Sequence, residues 1–292
     1  MKKSCLPTIN RNTRRIRIEL KSRVLRLGGP IIFSTLLFFY SFTLVRAQEF
    51  NFSRAYNDYI FNYNQYRQSY SDFVAAKEAY LAYQTLTSKN TALEKTQKIL
   101  KDEDEVIKTY LTALRMKVAE TTGISSDEQN IVLLKLDNEV SWYGKHKDNL
   151  SSAATLEDLV DSSKKMSGQY KNTEVLIYQT LGTILSGREN DFRNQINNKI
   201  QDLKGKIGEI RQKGDKDTST AERWLLEAEN RLTRSQEKQF AAQQILAKIK
   251  STDTEKNQSY DKAQFTLEES HQYLKEANSY LKEVLREIKS AD

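Results

Sequence analysis

From residue 51 onward, apolar residues recur every three or four positions over long stretches, the spacing that lays a stripe along one face of an α-helix. The first stretch covers about residues 51–85 and carries Tyr56, Tyr59, Ile60, Tyr63, Tyr66, Tyr70, Phe73, Val74, Tyr80 and Leu81. A second begins near Thr87-Ser88-Lys89-Asn90, runs through Leu93, Leu100, Ile107, Leu111, Leu114 and Val118, and stops before Gly123. Ser126 with Gln129 three residues on predicts a capping box for a third, which continues with Ile131, Leu134, Val140 and Tyr143. After a break at residues 148–155, Thr155 and Asp158 open a fourth through Leu156, Leu159, Met166, Tyr170, Ile177, Leu181 and Ile184. At Gly187 this helix ends, kinks or runs on into Phe192, Ile196, Ile200, Leu203, Ile207 and Ile210, a heptad-like series. Gly214-Asp215-Lys216-Asp217-Thr218 reads as a turn. Two further stripes follow, Leu225 to Ile249 and Tyr260 to Ile288, separated by the polar residues 251–254.

Composition strengthens the helical reading. Pro7 and Pro30 are the only prolines, so residues 31–292 contain none. Proline costs about 3 kcal/mol inside a helix, whereas folds built on sheets use it freely in turns. The predicted class is all-α: an N-terminal signal or anchor segment, an antiparallel helical bundle, and long coiled-coil-like helices. Short breaks favour antiparallel neighbours. The expected division is residues 1–47 as leader, 50–187 as a four-helix bundle, and 188–292 as a three-helix antiparallel coiled coil.

The first 47 residues differ in character from the rest. Residues 31–45 carry no charge, nine Lys/Arg precede them, and Val45-Arg46-Ala47 follows. A basic region, a short apolar core and small residues two apart make a secretory signal peptide, with cleavage between Ala47 and Gln48. The competing reading is an uncleaved membrane anchor, because the uncharged stretch counted from Leu27 reaches 19 residues and roughly 20 span a bilayer. Under either reading the basic flank stays in the cytoplasm and the body is delivered across the membrane, extracytoplasmic, secreted or anchored in the cell envelope.

Charge, taken by position, removes one function class. The net +7 of the whole chain suggests a nucleic-acid partner. Yet ten of the 46 Lys/Arg and one of the 39 acids fall in residues 1–47, which leaves 36 bases against 38 acids in the body. A near-neutral body of mixed sign lacks the basic face that phosphate neutralisation needs, so no nucleic-acid partner is expected. Cys5, the single cysteine, precedes the apolar segment, so the body has neither a disulfide nor a thiolate nucleophile.

Candidate chemistry is sparse. Seven tyrosines between Tyr56 and Tyr83 are the least ordinary local feature. Their i, i+3, i+4 spacing suits a bundle seam, while Tyr56, Tyr59, Tyr63, Tyr66 and Tyr70 are the first place to expect a partner-binding surface, since tyrosine packs a large face and keeps a wet hydroxyl. Asp102-Glu103-Asp104-Glu105 reads as a solvated helix face, because consecutive helical side chains diverge by about 100° and cannot converge on a cation. His146 and His271, 125 positions apart, form no local metal or triad motif. Gly205 and Gly208 suggest a close helix approach or a bend, and Trp142 and Trp224 read as plugs near helix ends. No cofactor, metal or catalytic residue is expected.

The segment Tyr56–Ile124 resembles exported helical proteins of candidate-phyla bacteria. The residues that carry the likeness are Tyr56-Asn57-Asp58-Tyr59, Tyr66-Arg67, Tyr70-Ser71-Asp72-Phe73, Leu86-Thr87-Ser88-Lys89, Tyr110-Leu111 and the run Leu114 to Ile124. That family has no assigned activity, so the resemblance implies a bacterial envelope setting and supplies no functional residues. The expected function is that of a non-enzymatic scaffold, spacer or assembly partner that meets an envelope protein, and the membrane through residues 31–45 if uncleaved, with a homo-oligomer left open. The alternative is an extracytoplasmic ligand-binding or sensory bundle with a pocket near the tyrosines.

Overall fold

The computed structural model describes residues 50–214 and 217–290. The apolar segment 31–45, the Ala47/Gln48 cleavage site and Cys5 lie outside the described residues. The described chain is all-α: α1 Phe52–Tyr83, α2 Leu86–Ala119, α3 Ser126–Asn149, α4 Leu156–Lys213, α5 Ser219–Lys248 and α6 Lys256–Ser290. One 3-10 turn, Leu150–Ser152, follows α3.

The helix ends follow local chemistry. Asn51 caps α1 by accepting the Arg54 N–H at 3.1 Å, and Gln84 ends it in the left-handed region at φ 48. At α4 the Thr155/Asp158 box is reciprocal. The Asp158 N–H reaches Thr155 Oγ1 at 3.1 Å, and the Thr155 N–H reaches Asp158 Oδ2 at 2.9 Å. At α3 the structure differs from the expected box. Ser125, not Ser126, receives the capping bond, from the Glu128 N–H at 3.3 Å. The Gln129 side chain instead donates to Val118 O at 3.0 Å, satisfying a carbonyl left open at the end of α2. Gly187 neither ends nor breaks a helix, for α4 runs through it for 58 residues.

Contacts divide the chain into two compact units. The first comprises residues up to Ala113 with Val140–Gln169, and the second Leu114–Glu139 with Tyr170 onward. Helices α2, α3 and α4 contribute residues to both, and residue 187 lies inside the second unit.

In the first unit, α1 runs antiparallel to α2, with Tyr59 against Tyr110 (centroids 5.4 Å apart) and Ser69 bonded to Asp102. The start of α2 meets the end of α3, where the Gln97 side chain donates to Leu150 O at 2.7 Å. In the second unit, α5 and α6 form an antiparallel pair, with Lys238 on Glu269, Arg231 on Glu276 and Trp224 stacked on Tyr280. Ile196, Ile200, Leu203 and Ile207 of α4 join Ala221, Leu225 and Ala228 of α5 and Leu274, Ala277, Leu281 and Val284 of α6 in one core. Each fully buried Ile or Leu there stabilises by about 1.5–3 kcal/mol, and the alanines let the backbones approach.

Candidate functional site

The tyrosine row forms a ladder on α1. Rings from Phe52 through Tyr56, Tyr59, Tyr63 and Tyr66 to Tyr70 follow one another at centroid separations of 5.7 to 6.4 Å. Tyr59, Tyr63 and Tyr66 are buried, while Tyr56 and Tyr70 are half-buried. The inner three thus pack inside the first unit, where each ring removes a large apolar face from water.

The acidic run on α2 is the principal correction. Read as a solvated face, it places Glu103 at 1% exposure and Asp104 at 0%. The reason lies in register. Leu100, Ile107 and Leu111 are core positions, and Glu103 and Asp104 occupy the turn between Leu100 and Ile107 on that same stripe. Only Asp102 and Glu105, on the flanks, reach half-exposed surroundings. Lys98 binds Asp102 at 2.7 Å, and Glu105 is held by Lys147 at 2.7 Å and Lys108 at 3.2 Å.

Asp104 faces His146 of α3. Its Oδ2 lies 2.7 Å from His146 Nδ1, and His146 Nε2 lies 3.2 Å from the Ser162 carbonyl of α4. A carbonyl can only accept, so the Nε2 contact places a hydrogen on that nitrogen. Trp142 covers the imidazole in a stack of 5.0 Å and 7°. This indole sits two turns before the end of α3, beside the buried pair. Burial pushes the Asp104 carboxyl up, against the pull of His146 and Lys147. Glu103 is pushed up to about 8 by burial and by its neighbour Asp104. Its Oε2 has no hydrogen-bond partner among the described residues. The arrangement fixes α2, α3 and α4 to one another through a polar centre. Among the described residues no group of three or more His, Cys, Asp or Glu could hold a metal ion.

A second buried polar layer crosses α4, α5 and α6. Ser270 Oγ donates to Glu189 Oε2 at 2.8 Å and lies 3.0 Å from Ser235 Oγ. Arg193 donates to Ser235 Oγ at 3.1 Å and to Asn190 Oδ1 at 2.9 Å, and the Gln239 amide reaches Ser186 O at 3.0 Å. Burial raises Glu189 to about 7, opposed by Ser270 and Arg193. His271 packs beside this layer with its ring 6.1 Å from Phe192, and burial lowers its pKa. Sequence reasoning missed this layer. Its signal was present as polar interruptions of the apolar stripes: Ser235 and Gln239 between Leu232 and Ala242, and Ser270 between Leu267 and Leu274.

Compared with protein-family models, with curated proteins and with solved structures, the chain shows no match.

Proposed function

We propose that this protein is a non-enzymatic helical scaffold of the bacterial cell envelope, delivered across the cytoplasmic membrane by residues 1–47 and acting through contacts with an envelope protein. The observation that carries the reading is the use made of buried polar groups. Glu189, Arg193, Ser235, Gln239 and Ser270 bond across three long helices. A polar layer in an apolar seam sets register between helices, a property that matters to a protein whose product is a shaped surface. The His146–Asp104 pair does the same for α2, α3 and α4. The antiparallel bundle and coiled-coil arrangement belongs to this proposal. So does the envelope setting, supported by the basic flank, the apolar segment 31–45 and the resemblance of residues 56–124 to exported proteins.

In-cell cross-linking followed by purification from envelope fractions tests it. Recovery of one defined envelope protein in stoichiometric yield is the expected result. A chain that always emerges from such preparations as a bare monomer, or that fractionates with the cytoplasm, sinks the proposal.

A further inference from the structure

In the second unit, Ser270 of α6 has more neighbours than one hydroxyl hydrogen can serve. Its Oγ lies 2.8 Å from Glu189 Oε2 of α4, 2.9 Å from the backbone oxygen of Ser235 on α5, and 3.0 Å from Ser235 Oγ. A hydroxyl has one hydrogen to give and two lone pairs with which to receive. Ser235 Oγ accepts from Arg193 at 3.1 Å, which leaves its own hydrogen for Ser270. The carboxyl of Glu189 and the carbonyl of Ser235 then compete for the single hydrogen of Ser270. All three residues are buried, so bulk water does not settle the competition.

The protonation state of Glu189 settles it. A carboxylate can only accept, so an ionised Glu189 takes the Ser270 hydrogen. Ser270 Oγ and Ser235 O then face each other at 2.9 Å with no hydrogen between them. A carboxylic acid donates instead. Glu189 then gives its hydrogen to Ser270 Oγ, Ser270 gives its own to Ser235 O, and all three contacts are hydrogen bonds together.

We propose that Ser270 is a proton-operated switch in the α4–α5–α6 seam: its hydroxyl bonds the α5 backbone when Glu189 is protonated and releases it when Glu189 is ionised. Burial raises the Glu189 carboxyl to about 7, against the pull of Ser270 and Arg193, so the two arrangements exchange near neutral pH. The charged groups around it divide by helix. On α4, Arg193 acts on Glu189 from one turn away, while Arg188 faces Lys117 of α2. On α5, Lys238 pairs with Glu269 of α6 at 2.9 Å and Arg234 with Glu237 at 3.1 Å. On α6, His271 rests against Phe192, and burial lowers its pKa. The switch goes beyond the scaffold reading and does not depend on it, because every bond concerned lies inside the second unit.

The test uses the full chain carrying Cys5→Ser and Ser270→Cys. A thiol has one hydrogen, as the hydroxyl has, and its S–H stretching band falls in a clear part of the infrared spectrum and moves to lower frequency as the acceptor strengthens. Between about pH 5.5 and 8.5 that band should pass from a higher position, against the carbonyl, to a lower one, against the carboxylate. Glu189→Gln in the same background should hold it at one position throughout. A second measurement does without the thiol: the protonated-carboxyl band that Glu189→Gln removes is titrated with and without Ser270→Ala. Loss of the hydroxyl should move its midpoint up by about one pH unit, because the ionised form loses a charge-assisted donor. A thiol band that keeps its frequency across the range, or a carboxyl midpoint that Ser270→Ala leaves in place, overturns the proposal.

Discussion

His146 is the residue on which the polar centre of the first unit turns. It is 8% exposed, its Nδ1 lies 2.7 Å from Asp104 Oδ2, and its other ring nitrogen meets the Ser162 carbonyl. His146→Ala would leave Asp104 buried without its partner, and breaking a buried pair in this way costs about 3–5 kcal/mol. Asp104→Asn keeps a neutral hydrogen-bonding group at the same place and should cost less than half as much. Urea unfolding followed by circular dichroism at neutral pH measures both. Equal losses for the two variants would mean that the pair contributes nothing beyond its shape. Neither partner could be found from sequence alone. The two lie 42 positions apart, and a histidine near the end of a striped helix is as easily an edge residue as a core one.

At the level of elements, glycines distinguish contact from open space. Gly123 adopts φ +78, and a Cβ there would lie 2.1 Å from Gly187 O. A Cβ on Gly187 would meet Ile124 Cγ1 at 2.4 Å. The corner between α2 and α3 thus rests on α4 at a pair of glycines, and Gly187 serves close approach rather than a break. Gly123→Ala or Gly187→Ala should each destabilise by about 1–3 kcal/mol. Gly205 and Gly208, expected to mark a close approach or bend, have nothing within 4 Å of where a Cβ would stand. There Gly→Ala should stabilise by about 0.5–1 kcal/mol each, through helix propensity alone. Thermal unfolding of the four variants checks the contrast, and destabilisation by the 205 and 208 changes would contradict it. Helix existence was legible because the stripes are long and no proline interrupts them. The helix ends were legible where a box closes on its own residues, as at Thr155 and Asp158. At α3 the rule misled by one position, because Gln129 found a better acceptor in the last turn of α2 than in its own cap.

At the scale of the whole molecule, stability should depend on pH in a definite direction. Glu103 and Glu189 are raised to about 8 and about 7 in the folded chain, and Asp104 is raised as well. Each holds a proton that the unfolded chain gives up near the ordinary carboxylate value, so their contribution is full below about pH 4.5 and is lost as pH climbs through the folded values. His271 acts oppositely, because burial keeps it neutral while the unfolded chain takes up a proton below about pH 6.5. With three carboxyls against one imidazole, the melting temperature should be higher at pH 5.5 than at pH 8. Glu103→Gln should flatten the slope between them and stabilise the chain at pH 8. A wild-type melting temperature that rises steadily from pH 5.5 to 8 would show that these carboxyls ionise without penalty. The sequence by itself determined the class of fold, the stretches that are helical and the uneven placement of charge, because periodicity, the absence of proline and charge counts are properties of the chain read locally. That Gly187 lies within one continuous helix it left open. Tertiary structure alone decided which polar residues are buried and which glycines are in contact. A carboxylate on a core stripe and one on a wet face have the same sequence neighbours, and what separates them is the helix that packs above.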